Sequence, residues 1–246
     1  MQNNPLKIIS LNIEMDRHFD RIIPFFKKQQ PDIILLQEVL EKDLTYLKRS
    51  TGMTGPYTTQ NIFTSENSTS PIGLLTLTNL PIINHHSVYY RGDGVNPIPM
   101  TVNEPEKMAR ALSIIEIKKG EQFYCLGNTH FTWTPDAKPN ADQYQDVERL
   151  LSGLQAIPEF ILCGDFNAPR GGAIYDTIAL NYKDNIPSDI TTTIDKKLHR
   201  RGDLNIVVDS VFTTPSYEVI DIQIVDNLSD HCAIIATIKS PDVLKK

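Results

Sequence analysis

Apolar residues come in short bursts along this chain, and most bursts end in a charged or amide side chain. Residues 6–13 and 32–37 are apolar runs rich in β-branched residues, which predicts two strands. Between them, over residues 17–30, Ile22, Ile23, Phe25 and Phe26 spread over one broad face at helical spacing. Pro24 is an awkward interior residue that points to a helix start near it, and Pro31 stops the helix. Residues 41–50 read as a second, short helix ended by Thr51-Gly52.

Beyond residue 57 the pattern changes to short strands and turns. Residues 72–78 and 82–90 are separated by the tight connection Asn79-Leu80-Pro81. Residues 91–107 are dense in proline and glycine, and a loop of that length is usually functional or mobile. Residues 109–118 and 122–128 form a predicted hairpin around Lys119-Gly120-Glu121, and residues 142–155 a helix. Residues 160–163, 204–213, 217–225 and 232–239 complete a second group of strands. Strand–helix–strand–helix followed by hairpins, repeated with variation, predicts two packed sheets flanked by helices. No repeat, low-complexity tract or linker interrupts residues 1–246, which read as a single domain.

Five polar words sit at the ends of the apolar runs. They are Leu11-Asn12-Ile13-Glu14, Gln37-Glu38, Asn128-Thr129-His130, Gly164-Asp165-Phe166-Asn167 and Ser229-Asp230-His231. Asp165 and Asn167 are two residues apart at a strand end, so both side chains point the same way. Each word has a plain alternative. Asp165 and Asn167 are common turn formers, Glu38 suits the first turn of the following helix, a lone His130 is more often a core or loop histidine, and Asp230-His231 could cap a strand. Five such words together, all at strand ends, point to one shared site.

Composition narrows the picture. A chain of 246 residues, 40% hydrophobic, buries a large core. No apolar run is long enough to span a bilayer, and the N-terminus shows no secretory pattern, which leads us to expect a cytoplasmic protein. The three cysteines are few, widely spaced and set in apolar strands, so they read as buried free thiols. A net charge of −6 argues against a surface coated for nucleic acid. The local basic cluster of Lys196, Lys197, His199, Arg200 and Arg201, with Arg170, reads first as solvated loop charge. There is no Gly-x-Ser-x-Gly elbow and no phosphate-binding Gly-x-x-x-x-Gly-Lys loop, which disfavours a serine hydrolase and a nucleotide-binding module.

The ordered series Asn12, Glu38, His130, Gly164-Asp165-Phe166-Asn167, Asp209 and Ser229-Asp230-His231 resembles the endonuclease/exonuclease/phosphatase superfamily of metal-dependent phosphoesterases. The resemblance runs from Leu6 to Ile238 and implies an α/β, four-layer sandwich of two packed mixed β-sheets flanked by helices. It also implies a hydrolase of phosphate esters using Mg²⁺ or Mn²⁺, with a phosphodiester, nucleic acid first, as substrate. A phosphatase or a sphingomyelinase-like phospholipid phosphodiesterase is the alternative. No membrane segment and no protein partner are expected.

Glu38 resembles the direct metal ligand, with Asp230 completing the metal environment and Asn12 positioning the metal or the phosphate. By the same resemblance, Asp165 activates the attacking water and Asn167 donates to the phosphoryl oxygen. His231, fixed by Asp209, and His130 contact the phosphate or act as acid and base. Arg110 is expected to touch the phosphate, and Glu14 to be an outer or second-metal carboxylate. The loops 91–107 and 181–201, with hydroxyls from Thr191, Thr192 and Thr193, are expected to shape the substrate opening. Leu11 stands where many relatives carry Trp, and Ser210 where many have an aromatic residue. Ala168-Pro169-Arg170 departs from the phosphoinositide phosphatases, which makes that specificity unexpected.

Overall fold

The computed structural model describes residues 4–66, 68–100, 107–135 and 137–240. One sheet contains β1 (Leu6–Asn12), β2 (Ile33–Leu40), β3 (Tyr57–Thr64), β4 (Thr69–Thr78), β6 (Ile98–Pro99), β12 (Glu218–Val225) and β13 (Ala233–Lys239). Its spatial order is β12-β13-β1-β2-β4-β3-β6. The other contains β5 (Ile82–Arg91), β7 (Arg110–Lys119), β8 (Gln122–His130), β9 (Ile161–Asp165), β10 (Lys183–Asp184) and β11 (Asp209–Thr213), in the order β10-β11-β9-β8-β7-β5. Four α-helices accompany them among the described residues: α1 (Phe19–Gln29), α2 (Leu44–Thr51), α3 (Ala141–Gln155) and α4 (Ala173–Ala179).

Strand alternation builds the layers. Ile8, Leu35, Ile115, Leu126, Ile161 and Cys163 pack between the two sheets. Their neighbours Ile9, Ile34 and Leu36 face the other way, against Ile22, Ile23 and Phe26 of α1. Ile114, Phe160 and Leu162 likewise cover Val147, Leu150 and Leu154 of α3 and Ile174 and Ile178 of α4. Three apolar layers therefore hold four structural layers together: helices, sheet, sheet, helices. This is the expected α/β sandwich of mixed sheets. No helix among the described residues is long and apolar enough to cross a membrane. Cys125, Cys163 and Cys232 are free thiols.

The inter-sheet layer changes character toward one edge. Along the inward-facing positions, Leu6 and Ile8 give way to Ser10 and Asn12, and Ile33 and Leu35 to Gln37. Tyr124 and Leu126 give way to Asn128 and His130, and Ile161 and Cys163 to Asp165. Because β1 runs parallel to β2 and β8 parallel to β9, these switches fall at strand C-termini. Gln37 Nε2 donates to Asn128 Oδ1 across the gap at 2.8 Å, and Asn128 Nδ2 returns a bond to the Leu36 carbonyl at 3.0 Å.

Local departures from the sequence reading have physical causes. α1 begins at Phe19, so Pro24 lies inside it. Burying Ile22, Ile23 and Phe26 is worth about 1.5–3 kcal/mol each, more together than the roughly 3 kcal/mol cost of one interior proline. Asn79-Leu80-Pro81 is the short connection expected, but the strands it joins do not pair. It carries the chain from β4 in one sheet to β5 in the other, and β4 pairs with β2 and β3 instead. Only Asp209–Thr213 of the predicted strand 204–213 forms a ladder, because the preceding residues bond to an irregular segment around Thr193.

Candidate active site

A bulge aims the first carboxylate. The register of β2 against β4 shifts between Leu36 and Val39, and Glu38 adopts φ 57° there. Glu38 therefore belongs to the strand, not to the following helix. Its Oε1 accepts from Asn12 Nδ2 at 3.3 Å, and the same amide donates to Asp165 Oδ2 at 3.1 Å. Asn12, fully buried, thus links a carboxylate of one sheet to a carboxylate of the other.

Asp165 ends β9, where Gly164 lets that strand close on β8: a Cβ at 164 would sit 2.0 Å from the Thr129 carbonyl oxygen. Asp165 Oδ1 accepts from the Asn167 backbone N–H at 2.8 Å, holding Asn167 at φ 49°, a left-handed conformation that Asn tolerates better than most residues. Asn167 Nδ2 donates to the Phe131 carbonyl at 3.0 Å, which fixes the amide plane and leaves a second N–H for another acceptor.

Both histidines reach Asp165. His130 Nε2 is 3.5 Å and His231 Nε2 3.7 Å from Asp165 Oδ2, and His130 Nε2 is 4.0 Å from Glu38 Oε1. His231 Nδ1 lies 2.9 and 3.1 Å from the two oxygens of Asp209. An ionised carboxylate only accepts, so Nδ1 carries the proton. Asp209 is held in turn by Thr193, whose Oγ1 accepts the backbone N–H of Val208 at 3.0 Å and of Asp209 at 3.1 Å. The Thr193 carbonyl accepts from Cys232, so one irregular segment stitches Asp209 to the loop bearing His231.

The environments push these groups apart. Burial, with the charges of Asp230 and Asp165, raises Glu38 from 4.5 to about 7. Burial and the neighbouring Asp209 raise Asp165 from 3.8 to about 6, against the opposing pull of His231. His130 is held well below the ordinary imidazole value by burial and by the cations Arg110 and His231. For His231, burial works against the charged form, but Asp209 and Asp165 override it and hold the imidazolium well above the ordinary range. The two histidines are therefore driven apart, His130 toward the neutral form and His231 toward the imidazolium.

Glu38, Arg110, His130, Asp165, Asn167, Asp230 and His231 all line one cleft of about 420 Å³. Asn12 and Asp209 lie behind its wall, touching the lining groups. Arg110 is buried, and among the described residues its guanidinium makes one hydrogen bond, a long one from Nη1 to the His130 carbonyl at 3.5 Å. Glu14 also lines the cleft, but its oxygens are engaged by Arg17 at 2.7 Å and His18 at 3.0 Å. Among the described residues, the Asp230 carboxylate accepts one hydrogen bond, from Ser229 Oγ at 3.2 Å.

Three carboxylates, Glu38, Asp165 and Asp230, thus crowd one wall with too little compensating charge, and two of them are pushed toward the protonated form. Oxygen donors in that condition fit a hard divalent cation. Asp165, Asp209 and His231 also cluster, their ligand atoms within 4.8 Å of one another. In that group, however, both Asp209 oxygens are committed to His231 Nδ1, which suits an acid–base pair better than a ligand set.

Other expectations need correcting. Arg170 leaves the basic cluster: it pairs with Asp184 at 3.1 Å and donates to the Ile186 and Pro187 carbonyls, bracing that loop. His199, Arg200 and Arg201 do line the cleft. Thr193 supplies no hydroxyl to the opening, since that oxygen is spent on the Asp209 turn. Of the loop 91–107, Met100 reaches the cleft, and residues 101–106 lie outside the described residues.

Gln143 had no assigned role in the sequence reading, and Thr193 had a different one. Gln143 Nε2 donates to the Thr132 carbonyl at 2.6 Å and the Asn167 carbonyl at 3.4 Å, joining the two loops that follow β8 and β9. The available signal was a buried glutamine in the apolar phase of α3.

The profile of the Endonuclease/Exonuclease/phosphatase family matches residues 9–231. No curated protein matches the chain. Among solved structures, an endonuclease/exonuclease/phosphatase from Bacteroides vulgatus superposes with a TM-score of 0.75 at 18% identity, covering 96% of this chain and 99% of that one. A mannosyl-6-phosphatase from Bacteroides thetaiotaomicron gives 0.70 at 14% identity, covering 95% and 99%. D. rerio TDP2 complexed with a single-strand DNA product gives 0.71 at 17%, covering 96% and 100%. These likenesses establish the shared fold, and the family match goes further: the chain belongs to the endonuclease/exonuclease/phosphatase family, whose members are hydrolytic phosphoesterases.

Proposed function

We propose that this chain, acting as a single domain over residues 1–246, is a Mg²⁺- or Mn²⁺-dependent phosphodiesterase, with nucleic acid the first substrate class. The observation that carries this reading is the position of Asp165 Oδ2, 3.1 Å from Asn12 Nδ2, 3.5 Å from His130 Nε2 and 3.7 Å from His231 Nε2. One carboxylate oxygen is surrounded by the groups that would hold a phosphate and a water. Glu38 and Asp230, with Asn12 beside them, would hold the cation, which when bound supplies Lewis-acid charge to the phosphoryl oxygens.

Asp165, raised to about 6, has the basicity of a water-activating group near neutral pH. The water oxygen bonds to phosphorus as its proton passes to Asp165. The ester P–O bond breaks, and the imidazolium of His231 gives its Nε2 proton to the leaving oxygen. Asp165 then returns a proton to His231, resetting both groups. Neutral His130, Arg110 and the free N–H of Asn167 hold the phosphoryl oxygens where negative charge develops.

A Mg²⁺ and Mn²⁺ activity screen over DNA, RNA, phospholipid and phosphomonoester substrates tests the reading. Cation-dependent release of product from a phosphodiester, lost in Glu38→Gln, is expected. Undiminished hydrolysis in the presence of chelator would overturn it.

A further inference from the structure

The floor of the cleft is charged, but its sides are not. Phe63 and Met100 form apolar lining near β3 and β6, and Leu204 and Ile206 come from the segment before β11. Trp133, three residues beyond His130 and the sole tryptophan of the chain, is half-buried and lines the same space. Beside it in sequence, Thr134 also lines the cleft and is 4% exposed. Its Oγ1 is buried and has no hydrogen-bond partner among the described residues. Native proteins rarely leave a buried hydroxyl unpaired. At the rim, Arg200 and Arg201 are exposed.

We infer that Trp133 and Thr134 form a subsite for a nucleobase attached to the scissile phosphate, the ring stacking on Trp133 and its polar edge pairing with Thr134 Oγ1 once that side chain turns about χ1 into the cleft. The inference rests on the phosphoesterase reading above and adds the specificity element. An acyl chain would satisfy the apolar sides but leave the Thr134 hydroxyl orphaned. A bare sugar would pair the hydroxyl but cover less of the tryptophan face than a planar ring does. A heterocycle has an apolar face and a hydrogen-bonding edge, and the phosphates flanking it meet the rim arginines. A cleft of about 420 Å³ suits a ligand of nucleotide size.

The test uses the full-length Asp165→Asn protein, to prevent turnover, with calorimetric titration of adenosine 5′-monophosphate, ribose 5-phosphate and hexyl phosphate in Mg²⁺ buffer. Adenosine monophosphate should bind about tenfold tighter than ribose 5-phosphate, the size of a base–aromatic stack, and should quench Trp133 fluorescence saturably. Adding Trp133→Ala should erase that advantage and leave ribose 5-phosphate binding unchanged. Thr134→Val, which keeps the shape, should remove about a fivefold share of it, the worth of one hydrogen bond.

Equal affinity for the nucleotide and the sugar phosphate, or a preference for hexyl phosphate, would overturn the subsite. Hydrolysis of bis(4-nitrophenyl) phosphate by the unmodified protein separates the two readings. If that activity is present and the base preference absent, the subsite alone fails. If it is absent with both cations, the phosphodiesterase reading fails.

Discussion

The two ends of the inter-sheet layer are built from the same strands and the same inward-facing positions, yet they have opposite chemistry. At the closed end Leu6, Ile33, Ile117, Tyr124 and Ile161 pack against one another. The charge there is settled locally: Lys119 Nζ meets Asp32 Oδ2 at 2.5 Å, and the Lys7 backbone N–H donates to the same oxygen. At the open end two buried carboxyl groups sit well above their ordinary pKa, and two histidines are driven in opposite directions. One end is satisfied as it stands. The other holds polar groups that remain short of partners, and that shortfall is a property of sites that bind charged ligands. The contrast teaches that stability and chemistry are separated along a single strand, within four or five residues.

That separation can be broken deliberately. The largest effect should come from Glu38→Gln, which removes the main cation anchor. Turnover should fall to background, while a thermal melt without cation should show a protein no less stable than the parent. A large drop in melting temperature would show that Glu38 belongs to the structural half after all. Asp165→Asn should reduce turnover by about 10²–10⁴-fold, the range for general acid–base catalysis, with little change in KM. A KM effect that exceeded the turnover effect would place Asp165 in binding instead. Asn167→Ala should cost about 10²–10³ in turnover, as for a lost oxyanion donor.

Leu126→Ala lies on the closed side of the same strand as His130 and should behave in the opposite way. It should lose about 2–5 kcal/mol in denaturant unfolding, with turnover at low temperature near the parent value. Loss of turnover in the still-folded protein would show that the two ends are coupled.

The smallest effect is in pH dependence. Glu38 and Asp165 keep their protons to higher pH in the folded chain than in the unfolded one, so stability falls as pH rises from about 4 through 7. His231, raised as well, adds to that loss above the ordinary imidazole range, whereas His130, lowered, contributes in the opposite sense. A cation bound at the carboxylates relieves their part, so the Mg²⁺-induced rise in melting temperature should grow between pH 5.5 and 8. A rise that is constant over that window would separate Glu38 from the cation.

Much of this arrangement was legible in the sequence because it follows from local rules. A two-residue period brings Asp165 and Asn167 to one side, and apolar runs that end in polar residues mark the same edge of both sheets. What was hidden depends on contacts made at a distance. Nothing near Asn79 says that the next strand joins the other sheet. The bulge at Glu38 is set by pairing with β4, and Thr193 reads as a hydroxyl of the substrate opening until the Asp209 backbone meets it. Arg170 had the composition of a basic patch, but Asp184 and two carbonyls claim it. The roles given to individual site residues came from motif resemblance, and the mutants above are their test.

Apolar packing between two sheets has no preferred direction along the strands, so by itself it would let one sheet slide over the other. The Gln37–Asn128 amide pair works as a dowel. The reacting groups are divided, with Asn12, Glu38, Asp230 and His231 carried by or next to one sheet and His130, Asp165, Asn167 and Asp209 by the other. The catalytic distances therefore depend on alignment between two separately built plates, which the Gln37–Asn128 pair and the Asn12–Asp165 bond join at their polar edge.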